Sequence, residues 1–126
     1  MKQLSQQKLR VMPFVFLALF TIITVLMLIE LAPKHGGWPY WDKVQHILVF
    51  SMLTLVGNLA FPQKQYWVCL ALIGYGALIE WLQSAFTITR MASVYDWLAD
   101  VIGILLALLI SLAIAYYTSK PQSKLP

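Results

Sequence analysis

Residues 74–103 read GYGALIEWLQSAFTITRMASVYDWLADVIG. The stretch joins the end of one apolar run, 67–86, to the start of another, 93–117, through a short link that holds one arginine, Arg90. As helices rising 1.5 Å per residue, runs of roughly 20 residues cross a hydrocarbon core of about 30 Å. Yet the first run carries Glu80 and Gln83 near its end, and the second carries Asp96 and Asp100 near its beginning. Ionisable groups within membrane-length segments are costly and by default mark functional sites. The stretch predicts a membrane protein with a polar site where two spans turn back on each other.

Composition points the same way. The chain has 126 residues, of which 60% are hydrophobic and 11% charged. Soluble domains average about 45–50% apolar and about 25% charged residues. A soluble fold of this length has too little interior for so much apolar surface, so a single integral membrane domain is expected. Cys69 is the only cysteine, which rules out an intrachain disulfide and argues against a cysteine-based metal site. The formal charge of +4 comes from basic residues at segment ends, where they set orientation, and no nucleic-acid partner is expected.

Working outward, residues 1–10 read as a polar, basic tail, and Pro13 suits the first turn of a helix, where its missing N–H costs nothing. A first span follows over about 12–30. Its apolar stretch is longer than the roughly 7–15 residues of a signal-peptide core and lacks a small-residue cleavage site, so it is read as retained. The loop after it carries Trp38, Tyr40 and Trp41, suited to a headgroup interface. A second helix is predicted over 41–61, a tight turn at Pro62–Gln65, a third helix over 67–86 and a fourth over 93–117. Ser93 and Asp96 form a capping-box-like start for the fourth. The expected fold is an all-α membrane protein, an antiparallel four-helix transmembrane bundle with both termini on one side. That side collects Lys2, Lys8, Arg10, Lys64, Lys120 and Lys124, against Lys34, Lys43 and Arg90 on the other. The asymmetry predicts cytoplasmic termini. All five acidic residues fall toward the opposite, outer end.

Depth then links three helices. From the rise per residue, His46 lies about 8 Å, Glu80 about 9 Å and Asp100 about 10 Å below that end. Asp42 and His46 share a helix face at i,i+4, as do Asp96 and Asp100, while Glu80 and Gln83 pair at i,i+3. The like charges Asp96 and Asp100 need a cation or a proton, and Lys43 and Arg90 are the cations at that level. Gly74, Gly76 and Gly103 offer close backbone approach. Asp42, Lys43, His46, Glu80, Gln83, Arg90, Asp96 and Asp100 are thus the expected ligand-binding or polar network, with His46 and Glu80 the candidates for any catalysis. Plainer roles exist: Asp96 suits a helix first turn by charge alone, Arg90 suits lipid phosphates, and His46 suits a neutral packing position. Glu80 and Asp100 resist such readings, because a lone buried carboxylate protonates or destabilises its span.

The string Asp42-Lys43-Val44-Gln45-His46 opening helix two, Glu80-Trp81-Leu82-Gln83 ending helix three, Arg90, and Asp96 leading to Gly103 resembles the VanZ-like family over roughly residues 40–108. This is a group of small bacterial multi-helix membrane proteins named after a member linked to teicoplanin resistance. The resemblance implies one domain over residues 1–126 and a place in the bacterial inner membrane and cell envelope. It supplies no biochemical mechanism. The family often has Asn at the position of Asp100, and Pro-Gly before the arginine where this chain has Ile88-Thr89.

Three functions fit. The preferred one is a non-enzymatic protein binding a lipid-linked headgroup or a lipidated amphiphile, such as a glycopeptide antibiotic, at the outer face, with Lys43 and Arg90 above the acidic level. The second is an intramembrane enzyme with His46 as base, oriented by Asp42 or Glu80. No nucleophile motif accompanies it. A hard divalent cation on Glu80, Asp100 and His46 would support that chemistry, but the spacing does not demand one and no cofactor is expected. The third is a structural or assembly partner. The bundle is too small for an evident transport path, so a transporter would need a homo-oligomer.

Overall fold

The computed structural model describes residues 2–29, 38–88 and 91–119, which fold as four α-helices with no strand among them. These are α1 (Lys2–Leu28), α2 (Trp41–Ala60), α3 (Gln65–Phe86) and α4 (Val94–Ser119). Each is long and apolar enough to cross a membrane, over Arg10–Leu28 in α1 and the full length of the other three. The protein is an all-α membrane bundle.

One expectation needs correcting. Residues 2–10, read as a polar, basic tail ahead of the first helix, are the first turns of α1, and Pro13 lies inside the helix rather than in its first turn. Gln, Leu, Lys and Arg are good helix formers, so nothing in that segment ends the helix where its apolar face does.

Contacting pairs fix the direction of each helix. Lys43 meets Asp96, His46 meets Asp100 and Ser51 meets Gly103, at sequence offsets of 53, 54 and 52. A nearly constant offset means that α2 and α4 run parallel. From Ser93 to Trp97 the partner retreats from Glu80 to Ile73, so α3 and α4 are antiparallel. Thr24 meets Tyr75 and Gln83 meets Met27, which makes α1 parallel to α3. The chain therefore passes back and forth four times. α2 and α3 each pack against all the other helices, whereas α1 and α4 flank them without touching among the described residues.

The α2–α4 contact is the most extensive of the helix pairs, and a glycine explains it. A Cβ on Gly103 would collide with the Ile47 carbonyl oxygen and lie 3.1 Å from the Ser51 amide nitrogen. Ser51 Oγ donates to the Gly103 carbonyl at 2.9 Å across the same crossing. Small residues allow this approach where apolar burial gives no drive, because lipid tails are as apolar as leucine. α1 docks through aromatics. Phe20 packs on Tyr75 with ring centroids 4.4 Å apart, Tyr75 stacks on Phe50 at 5.8 Å, and the Tyr75 and Thr24 hydroxyls lie 2.8 Å apart. Phe50, Leu53, Ile79 and Ile104 fill the centre. Apolar side chains such as Phe14, Leu17, Leu109 and Leu112 face outward, as lipid contact requires.

Candidate functional site

At the end where α2 and α4 begin, two rungs tie these helices together. Lys43 Nζ donates to Asp96 Oδ1 at 2.9 Å on the rim, and His46 Nδ1 lies 2.8 Å from Asp100 Oδ1 inside the bundle. Lys43 and His46 stand three apart on α2, Asp96 and Asp100 four apart on α4, and parallel helices bring the two pairs into register. The expected repulsion between Asp96 and Asp100 is resolved because each carboxylate has a separate partner. Arg90, the other cation expected here, lies outside the described residues.

Glu80 joins from α3. Its Oε2 accepts the Ser93 N–H at 2.9 Å, while its Oε1 lies 3.8 Å from His46 Nδ1. The first of these contacts recasts the capping box. Ser93 Oγ accepts the Asp96 N–H at 3.3 Å, as the motif requires. The return bond to the Ser93 N–H comes from Glu80 instead of Asp96, which leaves the Asp96 carboxylate to Lys43. A carboxylate of α3 thus caps the N-terminus of α4.

His46, Glu80 and Asp100 are 2%, 5% and 0% exposed, so the three depth-matched residues meet in the interior. One ligand atom from each lies within 4.8 Å of the others. Asp42, His46 and Asp96 satisfy the same criterion, and His46 is common to both groups. Gly76 makes room for Asp100: a Cβ there would sit 2.7 Å from Asp100 Oδ2. Asp42, Glu80, Asp96 and Asp100 gather four carboxylates around one lysine and one imidazole. Among the described residues, the site is short of positive charge.

Gln83 plays a different part. It is buried, and its Nε2 donates to the Met27 carbonyl at 2.8 Å. It thereby satisfies one of the orphan acceptors in the last turn of α1 and is a joint between α1 and α3. Sequence reasoning missed Trp97, whose Nε1 donates to the Ile73 carbonyl at 3.1 Å, and the groove role of Gln45. Gln45 stands three residues after Asp42, a spacing that puts both on one face and could have flagged it.

Two concavities flank the cluster. A groove of about 350 Å³ between α1 and α2 is lined by Leu26, Met27, Asp42, Gln45, His46, Leu48 and Val49. A smaller one of about 260 Å³ lies between α3 and α4, with Glu80, Trp81, Ser93 and Trp97 among its walls. The first has polar groups at one end and apolar walls, and Leu26 and Leu48 are 58% and 60% exposed on the outer surface. The arrangement can pair polar atoms with a headgroup while an acyl chain lies along the leucines. His46 held by Asp100 also has the form of a base with its orienting carboxylate.

Comparison with curated proteins and with solved structures finds no match. A model of the VanZ/LLP1 family matches residues 1–115, nearly the whole chain and every element that builds the polar cluster. With its four apolar helices and its buried His46–Asp100–Glu80 junction, the chain belongs to the VanZ/LLP1 family.

Proposed function

We propose that this protein resides in the bacterial inner membrane with both termini cytoplasmic, and that it binds the headgroup of an envelope amphiphile in the groove between α1 and α2. The groove itself carries the reading: Asp42, Gln45 and His46 offer carboxylate, amide and imidazole beside the apolar walls of Leu26, Leu48 and Val49. Lys43 is held by Asp96, so phosphate is not the group this surface favours. Amine- and hydroxyl-bearing headgroups suit it, on an acylated lipid or on a lipidated glycopeptide. Lipid sites commonly combine a mostly apolar wall with a few placed polar groups.

Native mass spectrometry of tag-free protein in detergent tests this, with phosphatidylethanolamine and a lipidated glycopeptide added in separate arms. Retention of either by the wild type, lost on filling the groove with Leu48→Trp and weakened about tenfold by Asp42→Asn, is the expected result. Equal retention by wild type and Leu48→Trp would sink the proposal. The buried His46–Asp100 pair favours one second reading, an enzyme acting on the same headgroup. Turnover of lipid in reconstituted vesicles that disappears with His46→Gln would distinguish it from simple binding.

A further inference from the structure

Two buried carboxylate oxygens inside the cluster lack a hydrogen-bond partner. They are Glu80 Oε1 and Asp100 Oδ2, on side chains 5% and 0% exposed. Leaving such atoms unpaired in a low-dielectric interior is costly. Glu80 Oε1 is also not idle space-filling, because it points at His46 Nδ1 from 3.8 Å while Asp100 Oδ1 approaches the same nitrogen at 2.8 Å. We propose that His46, Glu80 and Asp100 form a binding site for one divalent metal ion.

The geometry suits an ion. Metal–ligand bonds of about 2.1 Å with angles near 90–110° place neighbouring donor atoms about 3.0–3.5 Å apart. The observed separations of 2.8 and 3.8 Å bracket that range, and all three donors lie within 4.8 Å. Rotamer-scale adjustment closes the difference. Charge agrees as well: among the described residues, the Asp42, Glu80, Asp96 and Asp100 carboxylates exceed the charge of Lys43, and a divalent cation reduces that excess. The donor set of one imidazole and two carboxylates selects among metals. Carboxylates suit magnesium, calcium or manganese, whereas imidazole suits zinc and its transition-metal neighbours, so a mixed set points to manganese or zinc ahead of magnesium or calcium. A supporting interaction is present at Glu80, whose Oε2 is fixed by the Ser93 N–H, while Gly76 leaves space beside the unpaired Asp100 Oδ2. Three protein ligands leave positions open for water or for a ligand atom, as in catalytic rather than structural zinc sites. The inference stands whether or not the groove between α1 and α2 holds a lipid.

The test uses tag-free, full-length protein purified without chelator. Elemental analysis should find one manganese or zinc per chain. After stripping with EDTA, Mn2+ or Zn2+ at a hundredfold excess over Kd should raise Tm by roughly 5–10 °C, because an ion that binds only the folded state stabilises it. Glu80→Gln, which still accepts the Ser93 N–H, should lose at least tenfold in affinity. Ser111→Ala, farther along α4 and away from the three ligands and the groove, should keep both the ion and the shift. If Glu80→Gln fails to fold, Asp100→Asn and the Mn2+ spin-resonance spectrum of the wild type give the same decision. Absence of metal together with no Tm response in the stripped wild type overturns the proposal and leaves the carboxylates to be balanced by protons. An unchanged response in Glu80→Gln overturns it equally, since the ion then sits elsewhere.

Discussion

At 2% and 0% exposure, His46 and Asp100 are each the reason the other can be buried. Removing one member of a buried pair leaves an uncompensated group, which typically costs about 3–5 kcal/mol. His46→Phe should lose that much stability. Asp100→Asn keeps an acceptor for His46 and should cost under about 1.5 kcal/mol. The double variant His46→Phe/Asp100→Leu should recover most of the loss of His46→Phe alone, because coupled neighbours are non-additive. Chemical unfolding of the wild type, His46→Phe, Asp100→Leu, the double variant and Asp100→Asn in one detergent checks this, and strictly additive effects of His46→Phe and Asp100→Leu would show that the two are energetically independent. Gln83→Leu should cost about 1–3 kcal/mol by orphaning the Met27 carbonyl at the end of α1. The level of His46, Glu80 and Asp100 was readable from the chain because depth needs only the rise per residue. Their pairing was not, since it depends on how each helix is rotated about its axis. Distant contacts at Gly76 and Gly103 set that rotation.

Elements show the same division between what the chain states locally and what packing decides. Four spans, the turn between α2 and α3 and the start of α4 at Ser93 follow from apolar length and turn residues. The glycines do not sort themselves. Gly74, Gly76 and Gly103 look equivalent in sequence, yet nothing lies within 4 Å of a Cβ built on Gly74, while one on Gly103 runs into the backbone of α2. Gly57, which sequence reading passed over, is tight as well, with Val68 and Phe16 against it. Substitution by alanine should therefore give opposite signs. Gly74→Ala should stabilise by roughly 0.5–1 kcal/mol through helix propensity. Gly103→Ala should destabilise by about 3 kcal/mol, since overpacking forces α2 and α4 apart. Thermal unfolding of both variants decides it: no loss at Gly103 would contradict the close crossing, and a loss at Gly74 would contradict the open space beside it. The length of α1 was hidden for a related reason. Its apolar period ends near Arg10, but helix formers carry the helix on to Lys2.

For the whole molecule, the four passes put the start of α1 and the end of α4 at one end and the polar cluster at the other. Which end faces out is a matter of charge. Six basic residues accompany the termini and the α2–α3 turn, against Lys34, Lys43 and Arg90 at the cluster end. Lys43 is already neutralised by Asp96, which sharpens the contrast. Basic residues flanking short loops are retained on the cytoplasmic side, and acidic residues contribute little to orientation. The polar cluster is thus expected to open outward, where an envelope amphiphile would reach it. Two exposed positions report on this: Tyr40 at the head of α2, and Gln63 in the turn before α3. In a Cys69→Ser background, which removes the one native thiol, a membrane-impermeant maleimide should label the Tyr40→Cys variant in intact cells and the Gln63→Cys variant only after permeabilisation. The reverse pattern would invert the orientation and place the His46–Glu80–Asp100 junction at the cytoplasmic face, ending the case for an external headgroup while leaving the metal site intact. Labelling of both in intact cells would contradict the crossing of α2 itself, because its two ends are separated by the 20 residues that span the hydrocarbon layer.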